Sequence, residues 1–198
     1  MPHPVSSICV FCAASVGRHS AYRAAATVLG SLLGERGHAL VYGAGRTGLM
    51  GALAEAALAA GARVTGVVPE SLNTPELVHQ ALSRLEVVPD LHVRKARMVA
   101  LSDAFVSLPG GYGTLDELLD AVAHAQLRFH DKPVGVLNVD GYFDSLLEQL
   151  RRSVSDGFLT AGQLDLLEVA GAPAALLDRV EQSLRGAANP RVRSSSRD

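Results

Sequence analysis

Ala104-Phe105-Val106-Ser107-Leu108-Pro109-Gly110-Gly111-Tyr112-Gly113-Thr114-Leu115-Asp116-Glu117 joins a short apolar run to a glycine-rich turn and to the start of an amphipathic segment that reaches Leu127. An apolar run without polar alternation reads as a strand buried on both faces, as in a parallel sheet. A glycine-rich turn between such a strand and a helix gathers free backbone N–H groups and the positive end of the helix dipole at one spot. That setting suits an anion, phosphate above all. Three glycines let the backbone approach a ligand with no Cβ in between. Glu117 then stands in the first turn of the expected helix, a carboxylate beside the bound anion. Thr114-x-x-Glu117 also reads as a capping box, with Thr114 as the cap and Glu117 reaching back to its amide. A cap accounts for those two residues but not for Pro109-Gly110-Gly111 ahead of them.

The same alternation of apolar runs and helical patterns extends along the whole chain. Strands are expected at Ile8–Cys12, Ala39–Tyr42, Arg63–Val68, Leu85–Val88, Ala104–Leu108, Val134–Asn138 and Leu166–Val169. Helices are expected at Ser20–Arg36, Gly48–Ala60, Pro75–Ala81, Val93–Leu101, Thr114–Leu127, Tyr142–Ser153 and Pro173–Leu184. Repeated β–α order implies right-handed crossovers. The expected fold is α/β: a Rossmann-like, doubly wound parallel sheet of about seven strands with helices on both faces. Ligands of such sheets bind at the carboxyl ends of the strands, near the point where the strand order reverses. Residues 1–185 are expected to form one domain. From Gly186 the chain turns small, polar and mildly basic, and 186–198 is expected to be a disordered tail.

Composition narrows the function. The 198 residues are 48% hydrophobic with a formal charge of −2, enough apolar material for a large core and no bulk charge to attract nucleic acid or membrane. No apolar run approaches the roughly 20 residues that span a bilayer, and the first residues lack the pattern of a signal peptide. A cytoplasmic protein is expected. Cys9 and Cys12 form a C-x-x-C, but along a strand the odd spacing sends the two thiols to opposite faces. No second cysteine pair completes a zinc site, and no histidine pair has metal-ligand spacing. The two cysteines read as structural, and no metal is expected.

Two further elements carry chemistry. Gly43-Ala44-Gly45-Arg46-Thr47-Gly48 is formally G-x-G-x-x-G between a strand and a helix, the setting of a dinucleotide fingerprint. Glu70 lies near the next strand's end, where NAD proteins hold the ribose, yet Pro69 intervenes and the motif follows the second strand. The cluster is therefore a ligand contact or a tight turn for close helix–sheet packing. Asp90-Leu91-His92-Val93-Arg94-Lys95-Ala96-Arg97-Met98 precedes the strand that feeds the loop at 109. On a helix, Arg94 and Arg97 would share one face, either as a solvated surface or as part of the anion site.

Taken together and in this order, these elements resemble the LONELY GUY family of cytokinin riboside 5′-monophosphate phosphoribohydrolases. Its P-G-G-x-G-T-x-x-E signature is matched by Pro109 to Glu117, its R-K-x-x-M by Arg94 to Met98, and its glycine turn with G-L-M-G by Gly43 to Gly51. Ala125-Gln126-Leu127, His130 to Gly135 and Leu137-Asn138-Val139-Asp140-Gly141-Tyr142 match as well. The resemblance implies a homodimer that uses no cofactor. It implies hydrolysis of the N-glycosidic bond of adenine nucleotide monophosphates, such as AMP or isopentenyladenosine monophosphate, to free base and ribose 5-phosphate. Arg94 and Glu117 are then the catalytic pair. Gly110, Gly111, Gly113 and Thr114 hold the 5′-phosphate, Glu76 and Lys95 line the nucleotide site, and Tyr112, Met98, Gly43 and Gly45 are further substrate-binding residues.

That chemistry suits the residues. Cleaving an N-ribosyl bond builds oxocarbenium character, which a carboxylate stabilises while it orients or deprotonates water. An arginine can grip phosphate or sugar oxygens bidentately. The chain departs from the family at Leu91, at Ala123-His124 in place of Thr-Trp, and at Arg128-Phe129 in place of Gly-Ile, so the phosphate and ribose machinery is whole while the base preference is open. Proteins with this signature have been labelled lysine decarboxylases, but such chemistry needs a Schiff-base lysine on pyridoxal phosphate. Lys95 and Lys132 are the only lysines, and Lys95 belongs to the basic element. The alternative reading is a non-catalytic carrier of a phosphorylated cofactor, resembling the molybdenum-cofactor carriers, which shares the phosphate-friendly fold.

Overall fold

A computed structural model describes residues 6–188. Seven strands form one all-parallel sheet: β1 (Ser7–Phe11), β2 (Ala39–Tyr42), β3 (Val64–Pro69), β4 (Arg84–Val88), β5 (Ala104–Ser107), β6 (Val134–Leu137) and β7 (Leu167–Ala170). Their spatial order is β4-β3-β2-β1-β5-β6-β7. The chain winds outward from β1 to one edge, crosses back to β5 beside β1, and winds to the other edge. The reversal therefore falls between β1 and β5, and the glycine loop at 109 leaves the carboxyl end of β5 at that point.

The helices are α1 (Ser20–Glu35), α2 (Gly48–Ala59), α3 (Leu91–Ala100), α4 (Tyr112–Gln126), α5 (Asp144–Ser155), α6 (Ala161–Leu164) and α7 (Pro173–Ala188). Residues of α1, α2 and α7 pack with Ile8, Val10 and Cys12 on one face of the sheet. Residues of α3, α4 and α5 pack with Cys9, Phe11 and Phe105 on the other. Central strands covered on both faces have no polar side to show, which is why they read as continuous apolar runs. The two cysteines lie in different clusters, as their odd spacing along β1 requires.

Three expectations need correction. Pro75–Ala81 is not a helix. Val78 pairs with Gly45 in an isolated antiparallel bridge, the Arg46 amide donates to the Leu77 carbonyl, and the His79 amide donates to that of Ala44. A seven-residue segment has little helical stability of its own, and the first glycine turn takes up its backbone groups instead. Second, α4 begins at Tyr112 with Gly111 as its N-cap and no side-chain cap bond. Thr114-x-x-Glu117 is therefore not a capping box. Thr114 is buried, 4% exposed, and Glu117 sits in the second helical turn. Third, α7 continues past Leu184 to Ala188. The rest of the expected tail lies outside the described residues. The short helix α6, with a capping box between Thr160 and Gln163, was not anticipated.

Candidate active site

The loop at 109–114 is shaped by burial on one side and left open on the other. A Cβ on Gly110 would meet the Thr114 hydroxyl at 2.1 Å, so glycine is required there to let the buried threonine in. A Cβ on Gly111 or Gly113 would meet nothing within 4 Å, and neither residue has a positive φ. The fold does not ask for glycine at these two positions, whereas close approach of a ligand to the backbone does. The Leu115 amide donates to the Gly111 carbonyl. The amides of Tyr112, Gly113 and Thr114 precede it and are the donors that a helix start leaves over. Tyr112 itself projects outward, 95% exposed.

Arg94 and Glu117 meet beside this loop. Arg94 lies one turn into α3, behind the N-cap Asp90, whose side chain accepts from the His92 and Val93 amides. Its Nε donates to the Val67 carbonyl of β3 at 3.1 Å, and its Nη2 stands 3.5 Å from Glu117 Oε1. The guanidinium also fills the space where a Gly43 side chain would be, since a Cβ there would lie 2.0 Å from Nη2. Gly43 follows β2, so the neighbouring strands β2 and β3 together seat the arginine. The two side chains are only 14% and 11% exposed. Burial, foremost, pushes the Glu117 carboxyl up to about 7, with Asp116 adding to the rise while Arg94 and Lys95 oppose it. A carboxyl poised at neutrality can take up or release a proton under ordinary conditions. Gly113 and Glu117 are four apart on one helix face, about 5–6 Å along the axis, the span of a ribose between its 5′-phosphate and its anomeric carbon.

The other expected site residues are dispersed. Arg97 does not share a face with Arg94: its Nη2 donates to Glu86 Oε1 of β4 at 3.1 Å, beside a second bond from Nε. Lys95 bridges α3 to α4, its Nζ 3.0 Å from Asp116 and 3.3 Å from Asp120. Met98 is 1% exposed and belongs to the core with Cys9, Phe105 and Leu118, so it does not line an open site. Gly45 is taken up by its bridge to Val78 and by the Tyr42 hydroxyl, which donates to its carbonyl. Glu76 is exposed on the 74–79 turn, its carboxyl held below the ordinary value by its own amide and the Thr74 hydroxyl.

The start of α2 is closed to a dinucleotide phosphate. The Leu49 amide donates to the carbonyls of Ala13 and Ser15, and the Met50 amide to that of Ala13. Gly48, at φ +67°, lets that loop come in, since a Cβ would lie 2.2 Å from the Ala14 carbonyl carbon. The first glycine cluster is thus a packing turn, with only Gly43 turned to the site. Among the described residues no group of three or more His, Cys, Asp and Glu could hold a metal ion, and no helix is long and apolar enough to cross a membrane.

The sequence places Tyr142 in a matching motif without a role at the site, yet its hydroxyl donates to the Gly110 carbonyl at 2.6 Å. It lies 32 residues from Gly110, and no spacing rule connects a turn after β6 to a loop after β5.

A Rossmann-like sheet with a phosphate-type loop at its reversal point, flanked by a buried carboxylate–guanidinium pair, defines a nucleotide-processing class of α/β protein. Residues 50–180 match the family model described as "Possible lysine decarboxylase". The chain is 46% identical over 175 residues to the probable cytokinin riboside 5′-monophosphate phosphoribohydrolase LOGL5 of Oryza sativa subsp. japonica, covering 88% of this chain and 71% of that protein. It is 45% identical over 175 residues to the cytokinin riboside 5′-monophosphate phosphoribohydrolase LOG3 of Arabidopsis thaliana, covering 88% and 81%. The chain belongs to the LONELY GUY family of cytokinin riboside 5′-monophosphate phosphoribohydrolases. Among solved structures, the molybdenum-cofactor carrier protein of Chlamydomonas reinhardtii shares the fold with a TM-score of 0.68 at 22% identity, over 92% of this chain and 99% of that one.

Proposed function

We propose that this protein hydrolyses the N-glycosidic bond of adenosine 5′-monophosphates, N6-modified or plain, giving free base and ribose 5-phosphate. The observation that carries this reading is the Arg94–Glu117 pair, buried one helical turn beyond the glycine loop. The open amides of 111–114 receive the 5′-phosphate. The ribose lies over Gly113 towards Glu117, with its anomeric carbon near the carboxylate. As the bond to the base breaks, positive charge grows on the anomeric carbon and the Glu117 carboxylate stabilises it. The same carboxylate takes a proton from the attacking water, whose oxygen joins the anomeric carbon; the base leaves with its bonding electron pair and takes a proton from solvent, to which Glu117 then releases its own. Arg94 favours the ionised form of Glu117 against the burial that opposes it, and holds sugar or phosphate oxygens through its remaining N–H groups.

Sequence relatives that cover most of the chain support the enzyme over the non-catalytic carrier, which has only the shared fold behind it. The proposal includes a homodimer in the cytoplasm. Leu91, Val93, Leu119 and Leu127 are exposed on or next to α3 and α4, with Phe129 beyond them, an apolar surface on the helices that carry the site. Incubation with AMP and isopentenyladenosine monophosphate should release free base, and Glu117→Gln should abolish the release. Tight nucleotide binding with no base release from any monophosphate would turn the reading to the carrier.

A further inference from the structure

We infer that Tyr142 is a positioning residue of the phosphate loop, its hydroxyl holding the Gly110–Gly111 peptide so that the Gly111 amide faces an anion. The inference rests on reading 109–114 as a phosphate cradle.

The peptide between two glycines is the least restrained bond in the loop, because neither flank resists rotation. In a planar trans peptide the carbonyl and the N–H point in opposite directions. Fixing the Gly110 carbonyl therefore fixes the Gly111 N–H on the far side. Tyr142 does this with a 2.6 Å hydrogen bond. Among the described residues none accepts a hydrogen bond from the Gly111 N–H, so that donor is left for a ligand. A flipped peptide would put a carbonyl oxygen where the phosphate needs a donor, and repulsion would replace a hydrogen bond.

The segment that carries Tyr142 is built to hold it still. Asn138 accepts from the Phe143 amide and donates to Asp144, both at 2.7 Å. Asp140 and Gly141 both take positive φ, 50° and 74°, to make the turn. The Tyr142 ring is met edge-on by Tyr22 of α1, with centroids 5.4 Å apart, and by Phe143 at 5.0 Å. A hydroxyl on so fixed a ring is a rigid donor, and rigidity is what prevents a peptide from flipping.

Tyr142→Phe removes the hydroxyl and keeps the ring. Its affinity for ribose 5-phosphate, measured by calorimetry, should fall about three- to tenfold, the worth of one hydrogen bond, with the ligand-free melting temperature little changed. With nucleotide substrate, KM should rise and kcat should hold, since phosphate contacts serve ground and transition states alike. A flip would carry Gly111 from its φ of −92° into the positive-φ region, open to glycine and costly for alanine. In a Gly111→Ala background, Tyr142→Phe should therefore cost much less affinity than in the wild type. Equal cost in both backgrounds overturns the inference, as does wild-type affinity in Tyr142→Phe. Wild-type protein that fails to bind ribose 5-phosphate instead removes the cradle reading itself. On unmodified protein, the Gly111 amide resonance should shift and saturate as ribose 5-phosphate is added, and an unmoved resonance overturns the inference.

Discussion

Arg94 Nη2 stands 3.5 Å from Glu117 Oε1, an ion contact rather than a short hydrogen bond. At that distance the arginine does not lower the Glu117 carboxyl below the ordinary carboxylate range, because burial outweighs its charge and the group sits at about 7. The guanidinium is anchored elsewhere, by the Val67 carbonyl and the space at Gly43. It is thus a fixed positive charge beside a titratable group.

Glu117 should make the protein less stable as pH rises. In the unfolded chain it ionises near 4.5 and in the folded protein near 7. Between those values the unfolded state has released a proton that the folded state still holds, so rising pH favours unfolding. Glu117→Gln should be more stable than the wild type at pH 8 by on the order of 1–3 kcal/mol, with the gap shrinking towards pH 4.5. Urea unfolding at both pH values checks this. The same variant should lose about a hundredfold or more in kcat.

If Glu117 acts as its carboxylate, activity should rise with pH through about 7. Arg94 opposes the rise in the Glu117 pKa, so its removal in Arg94→Gln should move that limb of the residual activity to higher pH. An unmoved limb would falsify the assignment of the limb to Glu117.

Gly43→Ala tests the arginine's seat without touching its charge. The new Cβ would fall 2.0 Å from Arg94 Nη2, and the guanidinium must shift. A loss of more than about tenfold in kcat/KM is expected, since small displacements of positioning groups cost up to about a hundredfold. Wild-type turnover would show that the seat is unimportant.

The glycines should separate into two kinds. Gly48→Ala meets the Ala14 backbone and a positive φ, and a loss of about 2 kcal/mol or more in stability should follow. Gly113→Ala meets nothing and gains about 0.5–1 kcal/mol from helix propensity, yet KM for the nucleotide should rise. Thermal melts alongside kinetics distinguish the two.

Cys9 and Cys12 should resist thiol reagents in the native state. Both are buried and free, and burial, followed by the nearby Glu117 charge, pushes both thiols up. The thiolate that reacts is therefore scarce. Labelling should appear only on unfolding.

Much of this architecture is local in origin and legible in the sequence. The runs at Ile8, Val64 and Ala104 show no polar alternation, only a single Thr65 or Ser107 in the last two, because both faces of their strands are covered. The same period-two geometry sends Cys9 and Cys12 into separate cores. Pro109-Gly110-Gly111 ahead of a helix reads as a glycine-rich turn between strand and helix, and a turn stands there between β5 and α4. What depends on contacts between distant segments was decided only in three dimensions. Thr114 and Glu117 have the spacing of a cap, but Gly111 starts the helix earlier, so one becomes a buried side chain under Gly110 and the other a buried acid. Arg94 and Arg97 have the spacing of a shared face, but Val67 draws one and Glu86 the other. Pro75–Ala81 has a helical composition, but the turn at Gly45 draws its backbone into a bridge. Side-chain period and backbone preference act over a few residues. The strand order that sets β5 beside β1, and so brings Arg94 to Glu117 and Tyr142 to Gly110, comes from how the sheet buries its two faces.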